Sequence, residues 1–317
     1  MKTRQAILLE PGRIELTDVE LRPGPHDVLV KVAACGLCNW ELNHWHGKLG
    51  TCPQSLGHEW SGKIVEAGSE VNWLKPGDAV TGLPPKLFGF SEYMVLGASN
   101  CLKLDEHVNP EHALGEPLKC IVTVLRAAAP EPGDCGIIVG CGPMGLWCIQ
   151  ALSKGILGRL IAVDVSPEKL RLAHKFGATH VVNPKEGNAA ELIGDITGGH
   201  MADFLIEGTG VPEVVNQAVL YLKTGRGRYV MMSSHERPAE GFDWRPVQDK
   251  GVIVKGAHPA FSADQADDMR RAANMINNGV FKMDGVITHK FPLDDIQRAF
   301  ETLERKPSDY IKGIVVP

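Results

Sequence analysis

The segment Cys135-Gly136-Ile137-Ile138-Val139-Gly140-Cys141-Gly142-Pro143-Met144-Gly145 decides the fold. An apolar run ends at Val139, and three glycines follow at the spacing G-x-G-x-x-G. Leu146 to Leu152 then read as helix. A second apolar run, Leu160-Ile161-Ala162-Val163, closes on Asp164, nineteen residues beyond Gly145. Strand, glycine turn, helix, strand and acid follow one another as in a βαβ unit that binds a dinucleotide. Gly140 permits the tight turn, Gly142 lets the backbone approach a pyrophosphate, and Gly145 lets the helix lie close on the strand. Pro143 and Met144 open that helix, whose free N–H groups and positive dipole end face the phosphates.

Asp164 also bears on the choice of cofactor. A carboxylate there accepts hydrogen bonds from the ribose hydroxyls and repels a 2′-phosphate. The following Val165-Ser166-Pro167 offer no arginine for such a phosphate. NAD is therefore expected rather than NADP. Lys169, one helical turn on, is either within reach of the adenosine ribose or a solvated helix lysine.

Outward from this segment the texture differs on the two sides. Short strand-like runs separated by Pro and Gly turns fill the first part, at Ala6–Leu9, Arg13–Leu16, Asp27–Val32, Gly62–Val65, Asp78–Val80 and Ser91–Val95. They suggest a partly closed β-barrel. From about residue 118, apolar strands at Gly136–Val139, Arg159–Val163, His180–Val182, Phe204–Ile206, Tyr229–Met232 and Val252–Val254 alternate with helical stretches. Six strands with crossovers predict a doubly wound parallel sheet in an α/β protein. The tail after residue 258, with helices at Ala263–Asn278 and Leu293–Arg305 and strands at Ile287–Phe291 and Ile311–Val316, is expected to return to the first domain. The expected division is 1–118 with 259–317, and 119–258.

At 317 residues, with 44% hydrophobic and 22% charged residues, the chain has the composition of a soluble two-domain protein. A net charge of −5 without basic runs argues against a nucleic-acid partner. No run of about 20 apolar residues offers a membrane span. The eight cysteines lack the spacing of a disulfide framework and the N-terminus lacks a secretory apolar region, so a cytoplasmic location with reduced thiols is expected.

Three local patterns carry metal chemistry: Cys35-Gly36-Leu37-Cys38-Asn39-Trp40-Glu41, Gly57-His58-Glu59 and Gly115-Glu116-Pro117-Leu118. A thiolate, an imidazole and a carboxylate suit zinc, and three protein ligands leave a fourth position open. Cys35 with Cys38 forms a lone CxxC, and Cys120 is a competing third ligand. His44 and His46 read as loop residues near the site.

These patterns, taken with the turn and strand at Pro23–Lys31, with Gly77-Asp78-Ala79-Val80 and with the glycine motif, run in the order of a known family. The chain resembles the zinc-dependent medium-chain dehydrogenase/reductase family over nearly its whole length. The Glu116-Pro117-Leu118 pattern is similar to the sorbitol and polyol dehydrogenase branch. The resemblance implies a GroES-like barrel joined to a Rossmann domain, and one catalytic zinc held by Cys38, His58 and Glu116. It implies Glu59 as a carboxylate able to approach the metal, and Glu41 as hydrogen-bond partner of the zinc histidine. Thr209, Met232 and Ser233, after the fourth and fifth strands, would adjoin the cofactor. Lys312 would lie near its pyrophosphate, or is a surface lysine of the last strand. A homodimer or homotetramer is implied.

Two departures from the family stand out. The lobe with four cysteines that holds a structural zinc has no counterpart in Thr81–Phe90. Trp40 occupies the place of a Ser or Thr that relays the substrate's proton, and an indole N–H donates but does not accept. A water chain, Glu59 or His44 would have to replace it, and Trp40 could stack on a sugar ring. The implied reaction is oxidation of a secondary alcohol, of polyol or sugar type, with NAD. A transient oxidation without net NADH release, as in an epimerase or eliminase, is the alternative. An inactive binding protein is a third.

Overall fold

A computed structural model describes residues 1–83, 86–235, 238 and 240–317. The chain divides into two compact units, Met1–Lys119 with Met269–Pro317, and Cys120–Asp268. The first unit opens with strands β1 (Lys2–Glu10), β2 (Arg13–Glu20) and β3 (Asp27–Gly36) and helix α1 (Asn39–Trp45). Strands β4 (Gln54–Ser55), β5 (Glu59–Ala67), β6 (Ala79–Gly82), β7 (Tyr93–Gly97) and β8 (Cys101–Lys103) follow. Helix α2 (Gly115–Ala128) leads into the second unit.

The second unit contains β9 (Cys135–Val139), α3 (Pro143–Ser153), β10 (Arg159–Val163), α4 (Pro167–Lys175), β11 (His180–Val182) and α5 (Ala189–Thr197). It continues with β12 (Phe204–Glu207), α6 (Pro212–Val219), β13 (Arg228–Met231), α7 (Arg245–Asp249) and β14 (Ile253–Gly256). After α8 (Gln265–Asn277), the elements β15 (Ile287–Pro292), α9 (Ile296–Arg305) and β16 (Lys312–Val316) belong to the first unit.

In the first unit β2, β1 and β4 make a three-stranded sheet, and seven strands make the other, in the order β15-β16-β3-β5-β6-β8 with β7 also on β3. Strand β3 is its centre: β5 and β7 pair with it antiparallel, and β16 pairs Ile314 with Gly36 and Val315 with Cys35. Its side chains Val28, Val30 and Val32 enter a core with Trp60, Phe90 and Phe300. This pairing brings Lys312, at the start of β16, beside Leu37 and the Cys38 loop.

The second unit is a six-stranded parallel sheet in the order β11-β10-β9-β12-β13-β14. All five residues of β9 are buried, as expected for a strand covered on both faces. The chain runs outward from β9 to β11, then returns to start β12 on the other side of β9. The order therefore reverses between β9 and β12, where a doubly wound sheet binds ligands beyond its carboxyl ends.

One segment read as loop is helical: Asn39–Trp45 forms α1, with Cys38 as its N-cap and Glu41 completing a capping box. Apolar periodicity misses it because the segment is short and carries buried Glu41 and His44. No helix among the described residues is long and apolar enough to cross a membrane. Of Thr81–Phe90, Pro84 and Pro85 lie outside the described residues.

Gly57, immediately before His58, adopts φ +106°, and a Cβ there would lie 2.5 Å from the Phe90 backbone nitrogen. Gly77 has a similar φ of +93° but open space around it. Gly57→Ala is therefore expected to cost roughly 3 kcal/mol, from left-handed strain plus displaced backbone, against about 1 kcal/mol for Gly77→Ala. Urea unfolding of the two variants side by side checks this; equal losses would show that the contact with Phe90 is relieved without cost.

Candidate metal centre and dinucleotide site

In the first unit, the ligand atoms of Cys38, His58 and Glu59 all lie within 4.8 Å of one another. Glu116 Oε2 is 3.8 Å from His58 Nε2. Each group reaches this point for a local reason. Cys38 caps α1, its sulfur accepting the Trp40 N–H at 3.5 Å. Glu59 opens β5 and His58 immediately precedes it, after the turn at Gly57. Glu116 lies in the first turn of α2, whose start is anchored by the Gly115 N–H donating to Thr81 Oγ1 at 3.1 Å.

Glu41 joins these pieces. Its carboxylate is fully buried and accepts from the Gly57 N–H at 2.7 Å, from His58 Nδ1 at 3.2 Å and from the Cys38 N–H at 3.4 Å. With Nδ1 donating to Glu41, the lone pair of a neutral His58 ring lies on Nε2, the nitrogen on the Glu116 side. Room for Glu59 comes from Gly36, where a Cβ would collide with the Glu59 carboxylate.

Two buried lysines complete the cluster. Lys312 Nζ lies 2.5 Å from Glu59 Oε2 and donates to the Leu37 carbonyl at 2.9 Å. Lys119 Nζ donates to Glu116 Oε1 at 2.9 Å. Burial works against the Lys312 ammonium, but the carboxylate of Glu59 outweighs it and holds the pKa above the ordinary lysine value. Burial, then Glu59, raises the Cys38 thiol. His58 is also raised well above its ordinary value: burial opposes the charge, and the Glu41 carboxylate overcomes it.

The donor set fits zinc. With Cys38 as thiolate and His58 neutral, the thiolate and the carboxylates of Glu41, Glu59 and Glu116 exceed the two lysine ammoniums by two negative charges. A divalent cation would neutralise that excess, in a cluster where an unbalanced charge is costly.

Two readings are revised, the surface alternative for Lys312 and the loop position of His44. Lys312 is 4% exposed, so it is not a surface lysine; its ammonium contacts the Glu59 carboxylate and the Leu37 carbonyl. His44 is on a helix and buried, its Nδ1 paired with Gln54 Oε1 at 3.0 Å. His46 turns to Glu304. Cys35 is buried, its sulfur 3.9 Å from the Gly36 carbonyl, and outside the group of possible metal ligands. Trp40 is 42% exposed, with its ring edge-on to His58 at 5.1 Å and to His44 at 4.6 Å. Lys119 was missed, although its spacing of three from Glu116 on one helix was a usable signal.

In the second unit the glycine turn follows β9. Gly140 takes φ +95°, Gly142 has open space around it, and a Cβ at Gly145 would collide with the Gly140 carbonyl. Gly142 is the N-cap of α3 and Pro143 its first residue, with Met144 next. Asp164 accepts from the Cys141 N–H at 2.7 Å and the Ser166 N–H at 2.8 Å, tying the turn to the end of β10. Val165 is half exposed and Lys169 lies in the first turn of α4, its N–H donating to Ser166 Oγ. Thr209 packs on the turn, 2.9 Å from where a Gly140 Cβ would stand. Met232 and Ser233 follow β13, and their N–H groups donate to the Glu207 carbonyl. Glu207 and His235, which join Thr209 and Ser233 in one hydrogen-bonded group, were also missed. A charged residue closing the apolar run Phe204–Ile206 was the available signal.

Two family models match the chain. Residues 24–106 match the alcohol dehydrogenase GroES-like domain, and residues 143–277 match the zinc-binding dehydrogenase domain. Erythritol/L-threitol dehydrogenase of Mycolicibacterium smegmatis is 30% identical over 338 residues, covering 92% of this chain and 91% of that protein. D-xylulose reductase A of Aspergillus niger is 30% identical over 314 residues, covering 87% and 86%. A zinc-binding dehydrogenase of Sinorhizobium meliloti 1021, solved bound to NADP, superposes with a TM-score of 0.87 at 28% identity over the whole of both chains. The chain belongs to the zinc-binding medium-chain dehydrogenase/reductase family of alcohol dehydrogenases.

Proposed function

We propose that this protein oxidises a secondary alcohol of polyol or sugar type with NAD, and reduces the corresponding ketone in the reverse direction. The activity of the family is zinc-dependent alcohol or polyol dehydrogenation. The observation that supports this reading is the buried donor set around His58, whose ring Glu41 orients and which would carry two excess negative charges with Cys38 as thiolate and His58 neutral.

Cys38, His58 and Glu116 would hold the zinc, with Glu59 beside it. When bound, zinc supplies Lewis acidity that lowers the pKa of the alcohol hydroxyl. The chain's own residues do the rest. Glu41 orients His58, Lys312 restrains Glu59, and Lys119 restrains Glu116. The exposed ring of Trp40, edge-on to His58, offers an apolar face to a sugar or polyol carbon chain. In the second unit, Gly140 to Gly145 and the start of α3 would receive the pyrophosphate, and Asp164 the ribose hydroxyls. The edge strand β14 leaves a row of backbone groups that a second copy of the chain would cover, so a homo-oligomer belongs to the same reading.

A second reading keeps the zinc and NAD but returns the hydride to the substrate, as an epimerase or eliminase would. It is favoured by Trp40, which cannot accept the substrate's proton. Absorbance of NADH during incubation with a polyol panel separates the two. Net NADH is expected; turnover of substrate without it would sink the dehydrogenase reading.

Zinc affinity gives another test. In the metal-free chain both Cys38 and His58 titrate above their ordinary values, so at neutral pH protons must leave as the metal enters. Affinity is expected to rise with pH, by about tenfold per unit for one proton and up to about a hundredfold for two. Competition with a chromophoric chelator between pH 6 and 8 reads the slope, and a flat profile would exclude this ligand pair.

Asp164→Asn keeps a hydrogen-bonding side chain but removes its charge. The preference for NAD over NADP, as the ratio of kcat/KM values, is expected to fall roughly tenfold, the equivalent of about 1.4 kcal/mol. An unchanged ratio would mean that Asp164 does not face the adenosine ribose.

A further inference from the structure

At the carboxyl ends of β12 and β13, four hydrogen-bond contacts converge on one buried carboxylate. Glu207 Oε1 accepts from the Thr209 N–H at 2.6 Å and the Thr209 hydroxyl at 2.5 Å. Its Oε2 accepts from the Ser233 hydroxyl and pairs with His235 Nε2 at 3.0 Å. The Glu207 side chain has no exposed surface, and three donors with an imidazole nitrogen beside them is an arrangement that suits the ionised form. Among the described residues His235 is its one ion-pair partner; no lysine or arginine among them pairs with it. The charge is felt nearby: burial first, and the Glu207 carboxylate after it, raise the Tyr229 hydroxyl.

The position of this carboxylate gives it a role. Glu207 is the last residue of β12, level with Val139 of β9 and Met231 of β13, and Val139 immediately precedes the glycine turn. It therefore stands at the point where the strand order reverses. The adenosine half of a dinucleotide belongs to the side of β10 and Asp164, and the nicotinamide half to the side of β12 and β13. Thr209, held by Glu207, is also packed against Gly140.

We infer that Glu207 sets the preference of this site for the oxidised over the reduced nicotinamide. The inference rests on the reading of the second unit as a nicotinamide-dinucleotide site. The oxidised ring carries a positive charge and the reduced ring does not, while the rest of the dinucleotide is the same. A fixed negative charge at the nicotinamide end stabilises the first relative to the second, and the buried setting keeps that difference from being screened away. Hydrogen bonding to Thr209, Ser233 and His235 holds the carboxylate in place, so these residues act through it.

The test is the dissociation constant of NAD+, NADH and ADP-ribose, measured by calorimetry at pH 8, for the wild type, Glu207→Gln and Glu207→Asp. Glu207→Gln is expected to weaken NAD+ about tenfold relative to NADH, with ADP-ribose unchanged, and Glu207→Asp to keep the wild-type ratio. A purely structural role would weaken NAD+ and NADH alike and leave their ratio where it was; that result overturns the inference. Should Glu207→Gln fail to fold, His235→Lys sets a permanent cation against the same carboxylate at a partly exposed position. It must then move the ratio in the same direction, and an unmoved ratio overturns the inference. A wild type that binds ADP-ribose but neither nicotinamide form would overturn the function proposed above together with this one.

Discussion

A carboxylate buried under the first turn of α1 accepts hydrogen from three separate places: the N–H of Cys38, the N–H of Gly57 and the imidazole of His58. An ion buried without such partners costs several kcal/mol, so Glu41 is tolerable only while all three donors remain in place. The consequence is geometric. Cys38 and His58 are twenty residues apart, and Glu41 ties the helix that carries one to the turn that presents the other. The same bonds fix which nitrogen of His58 is free. Gly57 and Gly36 serve the arrangement by omission, since a side chain at either would occupy space that the Phe90 backbone or the Glu59 carboxylate takes.

The second unit uses the same device at the edge of its sheet. Where parallel strands end, the backbone N–H groups of the following loops lose their ladder partners and must find others. Asp164 accepts from the turn after the neighbouring strand, and Glu207 from the loop after its own. Both carboxylates thereby stabilise loops that must stay open to a ligand. Asp164 would meet a ligand's hydroxyl groups directly, while the buried Glu207 would act on a ligand's charge only through space. Loop order and ligand preference thus have a common source in this fold.

The candidate metal centre shows how charge is distributed when several acids are buried together. Lys119 and Lys312 come from distant parts of the chain, and each takes one carboxylate of the cluster. With Cys38 as thiolate and His58 neutral they leave an excess of two negative charges, which suits a divalent ion. Relatives named for polyols and for xylulose share the framework. Beside His58 this chain carries Trp40, an exposed apolar ring.

The alternation of strands and helices and the glycine turn were legible because each depends on residue type at short range; Cys38, His58, Glu59 and Glu116 were legible only as candidates, and the structure groups the first three. A glycine is required by a turn, an apolar run by a buried strand, and a thiolate or imidazole by a metal. Helix α1 was not legible, because its periodicity is hidden by a buried acid and a buried histidine. The burial of Lys312 was not legible either, because it follows from β16 pairing with β3 across some 280 residues of chain. Nor was the convergence of Ser233 and His235 on Glu207, which depends on two strands lying in register. The order of the motifs along the chain, read by itself, determined the fold class and the kind of chemistry. Only the tertiary structure decided which charges face one another, because electrostatic pairing acts through space and is set by packing between segments that the sequence keeps far apart.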